Sequence, residues 1–193
     1  MGVCVSGVKV AGFSVGGKPL AGLAANGIVI WRRPSEDNAE LIVNGGFEDG
    51  TNGWKIIRSG QVITSDNSMP RTPYEGSSYF KSTTNNGGVQ QTIVVEPGAS
   101  YHVSFAYGSA ASGRVCTCLL KNMDNGDVLL SKTTTSTKAG WLLVEFDYTI
   151  PDKVTTLVFR LSENTWGRFD AVSVKKRGRM AVPASLNVLE DSQ

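Results

Sequence analysis

The 193-residue sequence predicts an all-β protein, a sandwich or barrel preceded by a small N-terminal β-segment. Three observations carry this. Short stretches of alternating apolar and polar residues recur along the chain, separated by Gly, Pro, Asn and Asp clusters. Gly is abundant at 22 residues, which suits strands joined by tight turns. No segment carries apolar residues at the spacing of an amphipathic helix.

The first element in order is residues 3–31, a run of small strands. Gly16-Gly17 and Asn26-Gly27 are strong turn signals, because hairpin turns need positive φ at their centre. Residues 1–33 are too few to hold a core alone and contain no disulfide framework, so this segment is expected to lean on another surface. Met1 to Ser6 fits a loose lipidation pattern, but it begins a Val-rich alternating strand without polybasic support and is read as strand. Residues 34–38 have linker composition.

The main domain spans residues 39–177, starting at Leu41-Ile42-Val43. Strands are expected at 61–65, 78–82, 89–95, 101–107, 115–121, 127–132, 141–150, 156–162 and 168–174. Tyr101, Val103, Phe105 and Tyr107 should face the core, and His102, Ser104 and Ala106 should face away. Cys116 and Cys118 fall on one face of their strand and read as buried free thiols; with Cys4 the count is odd. Residues 178–193 form a tail without periodicity.

Charge and inventory exclude several function classes. The net charge is +2, and no basic run is interleaved with aromatics, so nucleic acid is not an expected partner. Lys175, Lys176, Arg177 and Arg179 read as a solvated strand end. No apolar run is long enough to insert in a membrane, and the N-terminus lacks the pattern of a secretory signal, so a chain that stays reduced in a cytoplasm is expected. The single histidine, His102, lies in a predicted strand, with no nucleophile motif to serve. Cys116-x-Cys118 is inadequate for zinc. A paired-carboxylate hydrolase would need a cleft that short strands and turns leave little room for. A non-enzymatic protein is the reading.

Leu41-Ile42-Val43-Asn44-Gly45-Gly46-Phe47-Glu48-Asp49-Gly50-Thr51-Asn52-Gly53-Trp54 resembles the opening strand of carbohydrate-binding modules of the family 4/9/22 group. Similar phrases follow in order at 74–81, 89–93, 96–105, Trp141 before Phe146, and 169–174. The resemblance implies a galactose-binding-like jelly-roll β-sandwich that binds cell-surface carbohydrate. It also implies a structural calcium tying the first strand to the last through Glu48 and Asp170, helped by carbonyls near Asn44, Gly46 and Lys81. The family often has a second Asp beside the last of these carboxylates, where this chain has Phe169 or Ala171.

Sugar recognition needs flat aromatic surfaces and directional polar groups. Trp54 and Trp141 match positions that pack in the family's core. Trp166 lies in a predicted loop and is the best exposed candidate, followed by Tyr74 and Tyr107. Arg71, Asn164, Gln90 and Gln91 are the polar candidates.

The stretch from Gly16 to Trp31 resembles short β-segments that begin some bacteriophage tail, fibre and capsid-decoration proteins. This implies a virion protein assembled in a host cytoplasm, homo-oligomeric, joined to other virion proteins through residues 3–31. Its jelly roll would contact host-surface glycans. The alternatives are a structural or capsid-decoration protein whose jelly roll only packs on its neighbours, and an extracellular accessory module of a glycosidase.

Overall fold

The computed structural model describes residues 38–177 throughout and, before them, the backbone of four short strands between Ser14 and Arg32. Cys4, the lipidation pattern, the first predicted strand, most of the linker and the 178–193 tail lie outside the described residues. The chain divides into two compact units, residues 1–37 and 38–193.

In the first unit, β1 (Ser14–Val15) pairs with β2 (Lys18–Pro19), and β3 (Gly22–Ala25) with β4 (Ile28–Arg32). Val15 stands opposite Lys18 and Ala25 opposite Ile28, so the strands reverse where the sequence carries Gly16-Gly17 and Asn26-Gly27.

The second unit contains β5 (Lys55–Ile57), β6 (Gly60–Ile63), β7 (Tyr79–Ser82), β8 (Gly88–Val94), β9 (Ser100–Ser109), β10 (Val115–Asn122), β11 (Val128–Thr135), β12 (Gly140–Thr149), β13 (Thr156–Glu163) and β14 (Arg168–Lys176). They form two antiparallel sheets. The first has the order β11-β10-β13-β8-β5 and the second β12-β9-β14-β7-β6. The chain crosses repeatedly between the sheets, as a jelly roll does, and their inner faces enclose one apolar core.

All nine strands expected from the sequence are present with small shifts at their ends. β5 was not anticipated, because three residues are too few to display an alternation. The expected opening strand at 41–43 is instead a loop, tied to β14 by the Glu40–Lys175 bridge and by Leu41 N donating to Val174 O at 2.9 Å. Asn44 and Phe47 take positive φ (54° and 58°) and end the extended run. The Asn44 side chain then staples the following turn by donating to the carbonyls of Asp49, Gly50 and Asn52.

Tyr101, Val103, Phe105 and Tyr107 face the core as expected, and His102 and Ser104 face outward. Ala106 also faces outward yet is buried, because the segment between β6 and β7 lies over that part of the second sheet. Cys116 and Cys118 are buried and free, and burial pushes the Cys118 thiol up to about 12.

Trp54 is a core residue, stacked on Phe47 at 5.3 Å. Trp141 is not. It stands half-buried on the outer face of the second sheet, edge-on to Tyr79 and Tyr74 at ring distances of 5.5 and 6.1 Å. Its cross-strand neighbour is Gly108, and a side chain there would collide with the indole ring.

Candidate functional site

Glu48 and Asp170 meet where the first segment of the domain touches its last strand. β14 breaks register between Asp170 and Ser173, with Ala171 at φ 47°. This bulge lets Val172 N donate to Gly45 O at 3.0 Å and leaves Asp170 fully buried. Asp170 Oδ2 accepts the Tyr74 and Glu75 amides at 2.8 and 3.1 Å, and Oδ1 accepts that of Ala171 at 2.7 Å. Glu48, at the surface, accepts the amides of Ser77 and Ser78 at 2.9 and 3.0 Å. Residues 74–78 thus bridge the two carboxylates.

Burial pushes Asp170 up to about 6, and the charge of Glu48 adds to the rise. Three amides pointing at its oxygens only partly offset this. A methyl group built on Gly46 would lie 3.8 Å from Glu48 Cγ and 4.0 Å from Asp170 Oδ1, so both side chains border the same backbone. Two carboxylates of like charge, one of them buried, form a donor set that suits a hard divalent cation. Among the described residues, no group of three or more His, Cys, Asp or Glu side chains is placed to hold a metal, so backbone oxygens would have to complete the shell. Asn44 O is already engaged, accepting from Phe47 N at 3.1 Å and Trp54 Nε1 at 2.9 Å. Lys81 sits inside the ladder between β6 and β14. Of the three expected helpers, Gly46 is the one whose backbone borders both carboxylate side chains.

A second polar centre, not read from the sequence, anchors the segment between β6 and β7. Arg168 opens β14 on its outer face yet is only 1% exposed. Its Nη2 lies 2.6 Å from Asp66 Oδ2 and 2.5 Å from Ser68 Oγ, and Lys81 Nζ also lies 2.6 Å from Asp66 Oδ2. These cations hold the Asp66 carboxyl well below the usual range despite its burial. Trp141 Nε1 donates to Thr72 O at 2.9 Å, and Tyr79 Oη to Pro70 O at 3.3 Å. The only sequence signal is a cation beside Phe169 at a strand start, which looks the same whether it is solvated or buried.

The sugar-binding candidates do not converge on one place. Tyr74 and Arg71 are exposed on the segment anchored by Asp66, over the second sheet. Gln90 lies on the outer face of the first sheet, between Lys55 and Arg160 in register. Asn164 leaves β13 pinned to Val115, its Oδ1 accepting Val115 N at 3.1 Å. Trp166 follows in the same loop, 59% exposed. Tyr107 belongs to none of these surfaces. It is fully buried against Phe169, since position 107 continues the inward phase of β9, so it presents no ring face to a ligand. Gln91 is inward as well. Its amide exchanges hydrogen bonds with Val43 at 2.8 and 3.0 Å and clamps the opening segment to β8.

Beneath the Trp166 loop, Glu163 is buried and its carboxyl is pushed up by desolvation. Thr165 Oγ1 donates to its Oε1, while Oε2 and the Tyr107 hydroxyl have no partner.

A family model described as a carbohydrate binding domain matches residues 39–165. No curated protein matches. Among solved structures, the N-terminal CBM22-1-CBM22-2 tandem domain of Xyn10C from Paenibacillus barcinonensis aligns with a TM-score of 0.58 at 14% identity, over 80% of this chain and 50% of that one. The cyclase Fisc from Fischerella sp. TAU aligns at 0.57 and 17% identity, over 72% and 97%. The enzymatically active domain of tailspike protein 4 from bacteriophage CBA120 aligns at 0.55 and 10% identity, over 71% of this chain and 21% of the tailspike. At these identities the likeness is one of fold.

Proposed function

Because this chain belongs to the carbohydrate-binding domain family, we propose that residues 39–177 are a non-catalytic carbohydrate-binding module carried on a bacteriophage particle, where it attaches to glycans of the host surface. The observation that carries the binding reading is the family match over residues 39–165. Trp166 supports it as an exposed aromatic beside the polar Asn164. The non-catalytic reading is supported by the family match, which is to a carbohydrate binding domain. His102 faces outward, 2.8 Å from Asp147, and both described cysteines are buried thiols. Glu48 and Asp170 would hold a structural calcium, which supplies the positive charge that this carboxylate pair lacks.

The phage setting is supported by the N-terminal sequence and by the presence of this fold within a phage tailspike, of which the chain spans about a fifth. Residues 3–31 would join other virion proteins and bring copies together, so that several weak sites act as one. A second reading, a structural role without sugar binding, draws support from the scatter of Tyr74, Gln90 and Trp166 over separate surfaces and from the burial of Tyr107. Adsorption of the full chain to host cells separates the two. Under the binding reading, glycosidase treatment of the cells or Trp166→Ala lowers adsorption; adsorption indifferent to both favours the structural role.

A further inference from the structure

We propose that the glycan taken by this module is acidic and lies across the outer face of the first sheet, held by Lys55, Arg160 and Lys121. This rests on the carbohydrate-binding reading above and adds the chemical class of the ligand.

Burial of Val89, Leu161 and Cys118 fixes which way β8, β13 and β10 face, and register carries the same phase to β5 and β11. Alternation then turns one complete row outward: Lys55, Gln90, Arg160, Leu119 and Ser131 in register on β5, β8, β13, β10 and β11. Lys121 faces the same way on β10, two residues beyond Leu119 and opposite Val158. The neighbouring rows add the hydroxyls of Thr92, Thr117 and Ser162.

No outward position of these five strands is an Asp or Glu. None of the three cations has an ion pair or side-chain hydrogen bond with another described residue. The second sheet differs. There Lys81, Arg168 and Arg177 each meet a carboxylate within 3.1 Å. Neighbouring strands are about 4.8 Å apart, so Lys55 and Arg160 are separated by two strand spacings with only Gln90 between them. Like charges so arranged repel one another, and an anion laid over the row relieves this.

The ligand class follows from what the face lacks as well as from what it holds. No aromatic residue points outward from its five strands, so a neutral sugar ring finds no surface to stack on. A uronate brings a carboxylate that the planar Arg160 guanidinium can grip with two hydrogen bonds, while Gln90 and the hydroxyls meet the ring oxygens.

The test is titration of the full-length protein, with calcium present, against polygalacturonate, alginate, neutral galactan, neutral xylan and polyglutamate as a polyanion without sugar. The expected result is binding to an acidic polysaccharide at least about tenfold tighter than to the neutral ones and to polyglutamate, weakening as salt rises. The double variant Lys55→Gln/Arg160→Gln should lose about tenfold on the acidic glycan with an unchanged circular dichroism spectrum and melting temperature. Tighter binding to galactan or xylan, or binding unaffected by the double variant, overturns the acidic assignment while leaving the carbohydrate-binding reading in place. Equal binding to polyglutamate reduces the face to a general polyanion surface and overturns the assignment too. No binding to any of the four polysaccharides overturns both readings.

Discussion

Arg168 and Asp66, 102 positions apart in sequence, form a buried ion pair at 2.6 Å that fastens the segment between β6 and β7 to the outer face of the second sheet. The segment it fastens carries Arg71 and Tyr74, and its amides at 74 and 75 close on Asp170. One ion pair therefore supports both the segment that exposes Tyr74 and the carboxylate pair.

Replacing Asp66 by Ala should be severely destabilising, by about 3–5 kcal/mol, because Arg168 would keep its charge in a buried place without a partner. Urea denaturation measures this. The converse change, Arg168→Met, should cost less, since Asp66 keeps Lys81 at 2.6 Å and is closer to solvent. A loss of under about 1 kcal/mol for Asp66→Ala would show that the pair is solvated.

Stability should respond to pH in opposite directions at the two centres. Asp170, raised to about 6 from an ordinary 3.8, is easier to protonate when folded. Its contribution is therefore fully present below about pH 4 and is lost as pH rises through about 6. Asp66, lowered by its cations, contributes stability above its ordinary 3.8 that is lost on acidification below it. Urea midpoints recorded in a chelator should fall between about pH 4 and pH 7, and millimolar calcium should abolish that fall. A chelator series that is flat or rising across this range would remove the case for a strained carboxylate pair.

Gln91 should matter for folding and not for ligand. Gln91→Ala leaves the amide and carbonyl of Val43 without their partners at 2.8 and 3.0 Å, a loss of about 1–3 kcal/mol. Binding to polysaccharide, measured below the melting transition, should be unchanged. A binding defect at full stability would make Gln91 a ligand contact.

Trp166→Ala should do the reverse. With 59% of the residue exposed, its removal should change stability by no more than about 0.5 kcal/mol. Its ring is worth about 1 kcal/mol as a stacking surface, so affinity should fall roughly fivefold. Parallel melting curves and binding isotherms check the two halves independently.

Much of this architecture is legible in the sequence because alternation is a local signal. The inward phase of β9 is readable from Tyr101, Val103 and Phe105 alone, and the same phase buries Tyr107, an aromatic candidate for sugar stacking. The pairing of Glu48 with Asp170 was reached through the family phrases at each end of the domain, not through spacing. What could not be read depends on contacts between distant segments. Asp66 and Arg168 look like ordinary surface charges until β14 brings one beneath the other. Trp141 passes for a core residue until its register opposite Gly108 places it on the outer face. The basic row on the first sheet has the same origin, since Lys55, Gln90 and Arg160 become neighbours only through strand pairing.

Whether residues 39–177 bind carbohydrate is decided by isothermal titration of the full chain against a panel of acidic and neutral polysaccharides, in calcium-containing buffer. The expected result is saturable binding of the fully folded protein to at least one of them, weakened by Trp166→Ala. Absence of any heat of binding across the panel, with the protein folded by circular dichroism throughout, would contradict it.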